Sequence, residues 1–164
     1  MPVSSDIVAT FKGPGAVYRR LLSDGRDELR VLSFAIFGAI LLFVAQTPWQ
    51  AREAHLDPTG PLAVRLYWSG FLFILILPLL LYGVCAAIWL ITRVIAPRLS
   101  GYGIRLSVFW AVLAASPLAL LAGMMAGFVG SGLQFQLVCV LWMIALLWFC
   151  IKGLFVASNS KLPA

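Results

Sequence analysis

The chain has 164 residues, 62% of them hydrophobic and only 11% charged, with a formal net charge of +6 and a mean hydropathy of +1.00. Soluble domains carry about 45–50% apolar and about 25% charged residues, and a chain this short cannot hide such a surplus inside one core. These proportions exclude a soluble enzyme, a disordered chain and a nucleic-acid-binding domain, whose positive charge would have to gather in one groove.

Residues 1–29 read as a basic, amphipathic cytoplasmic leader. Ser4-Ser5-Asp6 can cap a short turn that presents Ile7, Val8 and Phe11 on one face. Gly13-Pro14-Gly15 interrupts it, and Pro14 suits the first position of a second short helix. In that helix Val17, Tyr18, Leu21 and Leu22 oppose Arg19, Arg20 and Arg26, until Asp24-Gly25 stops it. An apolar face beside three arginines suits a helix lying in the headgroup layer; the alternative is a positive leader with no docking role. No small-x-small signal ends the first apolar run, where Ala45-Gln46-Thr47-Pro48 matches poorly, so that run is expected to be retained rather than cleaved.

Four apolar runs follow, at 31–47, 66–92, 104–129 and 133–156. Each is close to or above the ~20 residues that cross a ~30 Å hydrocarbon core at ~1.5 Å per residue. None alternates polar with apolar as an outer-membrane strand would. The expected fold is therefore an all-α integral membrane bundle of four spans (30–157), with 158–164 as a cytoplasmic tail. The second and third runs contain Pro78 and Pro117. A proline removes a backbone donor and crowds the preceding turn, so a kink is expected at each. A sharper alternative breaks the third run into half-helices at Ser116-Pro117, but nothing charged lies nearby to use the break.

Four spans put both termini on one side. Lys12, Arg19, Arg20, Arg26 and Arg30 fall there, as do Arg93, Arg98, Arg105, Lys152 and Lys161; only Arg52 and Arg65 fall opposite. The excess of lysine and arginine marks the cytoplasmic side, so both termini are expected in the cytoplasm. Trp49, Tyr67 and Trp68 flank the opposite, periplasmic boundary as an aromatic belt.

Inside the spans the chemistry is sparse. Between 31 and 92, apart from the loop, and again from 104 to 151, Arg105 at a membrane edge is the only charge, whereas pumps and ion-coupled carriers place several ionisable groups in the bilayer. His55, with Glu53 and Asp57, could be written as a metal cluster, but a solvated loop turned by Pro58 and Pro61 explains the same residues. Cys85, Cys139 and Cys150 all lie within spans and read as small apolar residues. No HExxH, CxxC, GxSxG or phosphate loop occurs. No catalytic, cofactor or metal site is expected. What remains is a ridge on the third run, where Ala115, Ala119, Gly123 and Gly127 recur every four residues and end in a GxxxG. Such ridges let helix backbones approach closely in lipid. The ridge is expected to pack within the chain against the second or fourth span, or against another subunit.

Six stretches then resemble one family. Asp6-Ile-Val-Ala-Thr-Phe-Lys, Val17-Tyr-Arg-Arg-Leu-Leu and Gly25-Arg-Asp-Glu-Leu-Arg precede the first span, and Tyr102-Gly-Ile-Arg-Leu-Ser-Val-Phe-Trp-Ala, Ala115-Ser-Pro-Leu and Gly127-Phe-Val-Gly follow within the third. Together they resemble the bacterial, alphaproteobacterial branch of the Yip (Ypt-interacting protein) membrane family. The resemblance implies a multi-spanning protein, usually of five spans where four are read here, with an amphipathic cytoplasmic N-terminus. Eukaryotic relatives act in vesicle trafficking with small GTPases, so it implies an interaction protein and supplies no site residues. The expected function is a non-catalytic membrane protein that packs against lipid, a membrane-protein partner or its own copies, as an accessory or assembly subunit. The alternative is a small channel or carrier for a neutral solute, using the two proline kinks with Ser69, Ser107, Ser116, Gln134 and Gln136.

Overall fold

The computed structural model describes residues 3–57, 59–95 and 99–160. Pro58, Arg98 and Lys161, used above for a turn and for charge, lie outside the described residues. The described residues are helical with short connections. The leader forms α1 (Val3–Lys12) and α2 (Pro14–Ser23). Four crossings follow: α3 (Glu28–Leu56), a composite of α4 (Leu62–Gly70), a π-helical segment (Phe71–Ile76) and α5 (Leu77–Ile95), then α6 (Gly101–Phe128) and α7 (Leu133–Asn159). All four are long and apolar enough to cross a membrane.

The third crossing is the hub. Of its most apolar 18 residues 61% are buried, against 33% for the first crossing and 11% for the second and the fourth. α3 and α6 run side by side in the same direction, as first and third crossings must. The Phe34 ring meets Trp110 edge-on at 4.9 Å near one end. Gly38 faces Val112 in the middle, and Gly127 faces Pro48 near the other end. α7 runs back along α6, with Gly103 against Ala157 and Gly153 against Ser107. The second crossing leans on α6 through the Tyr82–Phe109 ring contact at 4.9 Å, and Cys85 is the one buried residue among those described in α5.

The helix ends show why the elements outrun the apolar runs. Asp27 caps α3 by accepting from the Arg30 N–H at 3.1 Å, and Ser100 caps α6 by accepting from the Gly103 N–H at 3.1 Å. At the far end Arg52 donates to the carbonyls of Gly127 and Phe128, which α6 leaves without helical partners. Gly130, with φ of +95°, turns the chain there in a conformation that favours glycine.

The first crossing corrects the boundary at 47. Pro48 does not stop α3, which continues to Leu56. A proline at 48 deprives the Val44 carbonyl of its donor, and the Thr47 hydroxyl supplies a replacement at 2.8 Å. The same repair recurs in α6, where Pro117 orphans the Leu113 carbonyl and Ser116 donates to it at 2.7 Å. α6 therefore runs unbroken past Pro117 rather than dividing into half-helices. Leu77 has no hydroxyl to do this for Pro78. There the ladder changes pitch instead, and the Leu77 N–H reaches five residues back to the Leu72 carbonyl.

Candidate functional site

Most long-range polar contacts among the described residues lie at the leader end of the bundle. Large apolar residues on α2 make that possible: Val17, Tyr18, Leu21 and Leu22 are all buried, and Tyr18 completely. The apolar face expected to enter the headgroup layer is instead spent on the protein. Arg19 projects away from it and is exposed, as is Arg26 in the turn after α2.

Tyr18 lies where α6 and α7 cross. Its hydroxyl donates to the Ser107 carbonyl at 3.1 Å. Gly153 of α7 makes the space, since a Cβ there would sit 2.7 Å from the Tyr18 ring and 2.8 Å from the Ser107 hydroxyl. Burial, reinforced by Cys150, pushes the phenol well above its ordinary pKa, so it stays a donor. A second anchor comes from α1. Thr10, fully buried, donates to the Asp6 carbonyl at 2.7 Å and accepts from the Trp110 indole N–H at 3.1 Å. Buried Asp6 pairs with Arg20, tying α1 to α2. Phe11 adds an edge-on contact with Phe149 of α7 at 5.1 Å. The leader is thus a helical hairpin seated on α6 and α7. Downstream, Tyr102 donates to the Gly25 carbonyl at 3.1 Å, and Arg105 pairs with Glu28.

Two clefts open at this end. The larger, about 1030 Å³, lies between α1 and α3, with Asp6, Arg20, Asp24 and Arg30 at its polar mouth and Phe37 and Ile40 on its apolar wall. The other lies between α5 and the start of α6, around Arg93 and Arg105.

The small-residue ridge sits at the opposite end and meets the first crossing, not the second or the fourth. A Cβ on Gly123 would run into the Ala45 carbonyl, 2.5 Å from its carbon, and one on Gly127 would lie 2.5 Å from the Pro48 Cβ. Ala115 and Ala119 continue the ridge and are buried. Of the residues considered for a solute path, Ser69, Ser107 and Ser116 each donate to a carbonyl of their own helix. Gln134 and Gln136 are exposed at the far end, so the structure does not bring these five together.

Comparison with protein-family models, with curated proteins and with solved structures returned no match. The leader seat was missed from sequence because its partners lie far apart, Thr10 and Trp110 by 100 residues. The unusually polar tip of an otherwise apolar third run, Tyr102 to Ser107, is the signal that could have pointed to it.

Proposed function

We propose that this chain is a non-catalytic membrane protein that works by packing, as an accessory or assembly subunit, and that its second crossing is the face it offers to a partner helix. The observation that carries the reading is the contrast in how the crossings are used. α3, α6 and α7 are locked together at backbone distance by Gly103, Gly123, Gly127 and Gly153. The second crossing has no such lock, and its π-helical segment fully buries no residue while exposing Phe71, Leu72, Ile74 and Leu75. Association in lipid comes from close side-chain packing rather than from the hydrophobic effect, so an unpartnered apolar helix is free to pair. Irregular π turns are often kept at sites of function.

The charge distribution supports an orientation with the seated leader, and both termini, in the cytoplasm of a bacterial cell, the membrane being the inner one. The motif resemblance supports membership of the bacterial Yip branch, an interaction family.

The test is purification in mild detergent at native expression. A stoichiometric larger complex is expected, lost when Leu72 and Leu75 are both changed to bulky Trp. Solute flux through proteoliposomes holding the isolated chain would overturn the reading. Orientation is checked separately: in a chain lacking its three cysteines, Thr59→Cys should react with an impermeant thiol reagent from outside, and Ser100→Cys only after permeabilisation.

A further inference from the structure

For a helix in water, α1 is inside out. Its buried face carries Asp6 and Thr10, 7% and 0% exposed, while Val3, Val8 and Phe11 are 46%, 57% and 46% exposed. A helix on the surface of a soluble protein turns its apolar residues inward and its polar ones outward. The inward polar residues of α1 are satisfied by the protein: Asp6 pairs with Arg20, and Thr10 bonds both the Asp6 carbonyl and the Trp110 indole. The exposed polar residues Ser4, Ser5 and Lys12 sit in its first and last turns, so Val8 is the middle of the outward face.

The contacts of α1 fix its level in the bundle. Thr10 meets Trp110, which follows Arg105 by five residues in α6 and so lies about 7 Å further in, at ~1.5 Å per residue. Phe11 meets Phe149 of α7. Its neighbour Trp148 is exposed and has the Lys152 ammonium over its ring at 5.7 Å, an aromatic and a cation of the kind that gather at a membrane–water boundary. Inward of Arg105 and Lys152, α6 and α7 hold no other charge. At its other end α1 faces Phe34 and Phe37 of α3 across the larger cleft, through Val3 and Ile7. α1 therefore passes from α3 to α7 across the face of α6, transverse to the crossings and inward of their last charges.

We infer that α1 is an in-plane membrane helix, lying where headgroups give way to acyl chains in the leaflet at the leader end, with Val8 and Phe11 against the chains. Its level names the occupant. Inward of the last charges the bundle is surrounded by hydrocarbon, where Val8 and Phe11 are at home on the outside and Asp6 and Thr10 must find partners in the protein. α2 lies nearer the helix ends, since Tyr18 bonds Ser107, and it turns Arg19 outward at headgroup level. This placement requires only that the chain crosses a membrane and does not depend on the partner proposed for the second crossing.

Spin-label accessibility in vesicles of phosphatidylglycerol and phosphatidylethanolamine tests it. In a chain with Cys85, Cys139 and Cys150 changed to alanine, a label at Val8→Cys should meet oxygen, which concentrates in hydrocarbon, several times more readily than a water-soluble nickel chelate. A label at Ile144→Cys, on the exposed face of α7, should behave in the same way. A label at Arg19→Cys should show the reverse preference. Nickel access at Val8 equal to that at Arg19 would overturn the membrane helix by placing α1 in water. Low access of both reagents at Val8 would overturn the lipid contact and leave a protein surface over α1. Should the cysteine-free chain fail to fold, a photoreactive benzophenone side chain at Val8 of the native chain decides. Adducts with phospholipid are expected; adducts with protein alone, or none, would overturn the lipid contact.

Discussion

The first and second crossings both carry a proline inside an apolar helix, Pro48 and Pro78, and they absorb it in different ways. In α3 the Thr47 hydroxyl replaces the lost donor at the Val44 carbonyl, and the helix keeps its pitch. In the second crossing no hydroxyl precedes Pro78, and the turns before it slip to five-residue hydrogen bonds. α6 follows the first pattern through Ser116 and Pro117. The difference follows from what each helix must match. α3 and α6 touch both before and after their prolines, with Gly38 against Val112 and Gly127 against Pro48, so a change of pitch in either would throw the later contacts out of register. The second crossing fully buries no residue over Phe71–Ile76, so a slip there disturbs less packing than one in α3 or α6 would. Backbone regularity is maintained where a neighbour reads it and relaxed where lipid does.

The largest effect that sharpens this contrast comes from matched glycine substitutions. Gly123→Leu drives a side chain into the Ala45 backbone, which cannot rotate aside as a side chain could. Overpacking typically costs about 1–3 kcal/mol and more when the obstacle is rigid, so a loss of at least about 3 kcal/mol is expected. Gly83→Leu, in α5, meets nothing within 4 Å and should be neutral or gain up to about 1 kcal/mol from helix propensity. Thermal unfolding of the isolated chain in detergent measures both. Equal losses would mean that the second crossing is packed as tightly as the first.

Much of this was open to reading from the chain, because length and apolarity alone dictate a bilayer crossing: the runs at 31–47, 66–92 and 133–156 each lie within a helix or a composite of helices, and 104–129 overruns α6 by one residue. Their ends were less legible. Pro48 reads as a stop unless Thr47 is recognised as its repair, and Leu133–Asn159 outlasts its run because the last turn is polar. Which neighbour the Ala115–Gly127 ridge meets could not be read at all: helices that are apolar on every side carry no periodicity naming a partner. The same holds for the cleft arginines. Arg26, Arg93 and Arg105 count separately toward cytoplasmic charge, and only the return of the chain past α5 brings them to one mouth.

Intermediate effects fall on the leader. Gly153→Ala puts a methyl 2.7 Å from the Tyr18 ring and should cost about 1–3 kcal/mol. Tyr18→Phe keeps the ring and loses only its bond to the Ser107 carbonyl, for about 1 kcal/mol. Both should speed limited proteolysis within residues 3–23 while leaving the crossings intact. Unchanged cleavage in both variants would mean that Thr10 and Trp110 hold the hairpin without Tyr18.

Smaller still is the proline repair. Ser116→Ala leaves the Leu113 carbonyl with neither its helical donor nor the hydroxyl, inside the most buried stretch of the molecule. A loss of about 1 kcal/mol is expected, and Ser116→Thr, which retains the hydroxyl, should restore most of it. Introducing the hydroxyl where it is missing, Leu77→Ser, should have no stabilising counterpart, because the pitch change already accommodates Pro78 and no neighbour rewards its removal. A stabilised Leu77→Ser variant would show that the π-helical segment is a defect rather than a tolerated slip.

The smallest effect belongs to the connection between the first two crossings. Asp57, at the end of α3, accepts from both the Thr59 hydroxyl at 2.6 Å and the Thr59 N–H at 3.1 Å, with Arg65 at 3.3 Å. These contacts favour the charged carboxylate and hold its pKa below the ordinary value, the Thr59 hydroxyl contributing most. A depressed folded-state pKa means that the turn is favoured at neutral pH and that this contribution is lost as pH falls through the folded value. The Thr59 amide shift should therefore titrate with a midpoint below that of a free aspartate. Thr59→Val removes the hydroxyl bond, keeps the amide and should raise that midpoint toward the ordinary value, while Arg65→Gln should raise it less. Because Asp57 is fully exposed, neither change should move the melting temperature at neutral pH. A larger rise from Arg65→Gln would make the turn an ion pair between the two crossings rather than a local cap on the first.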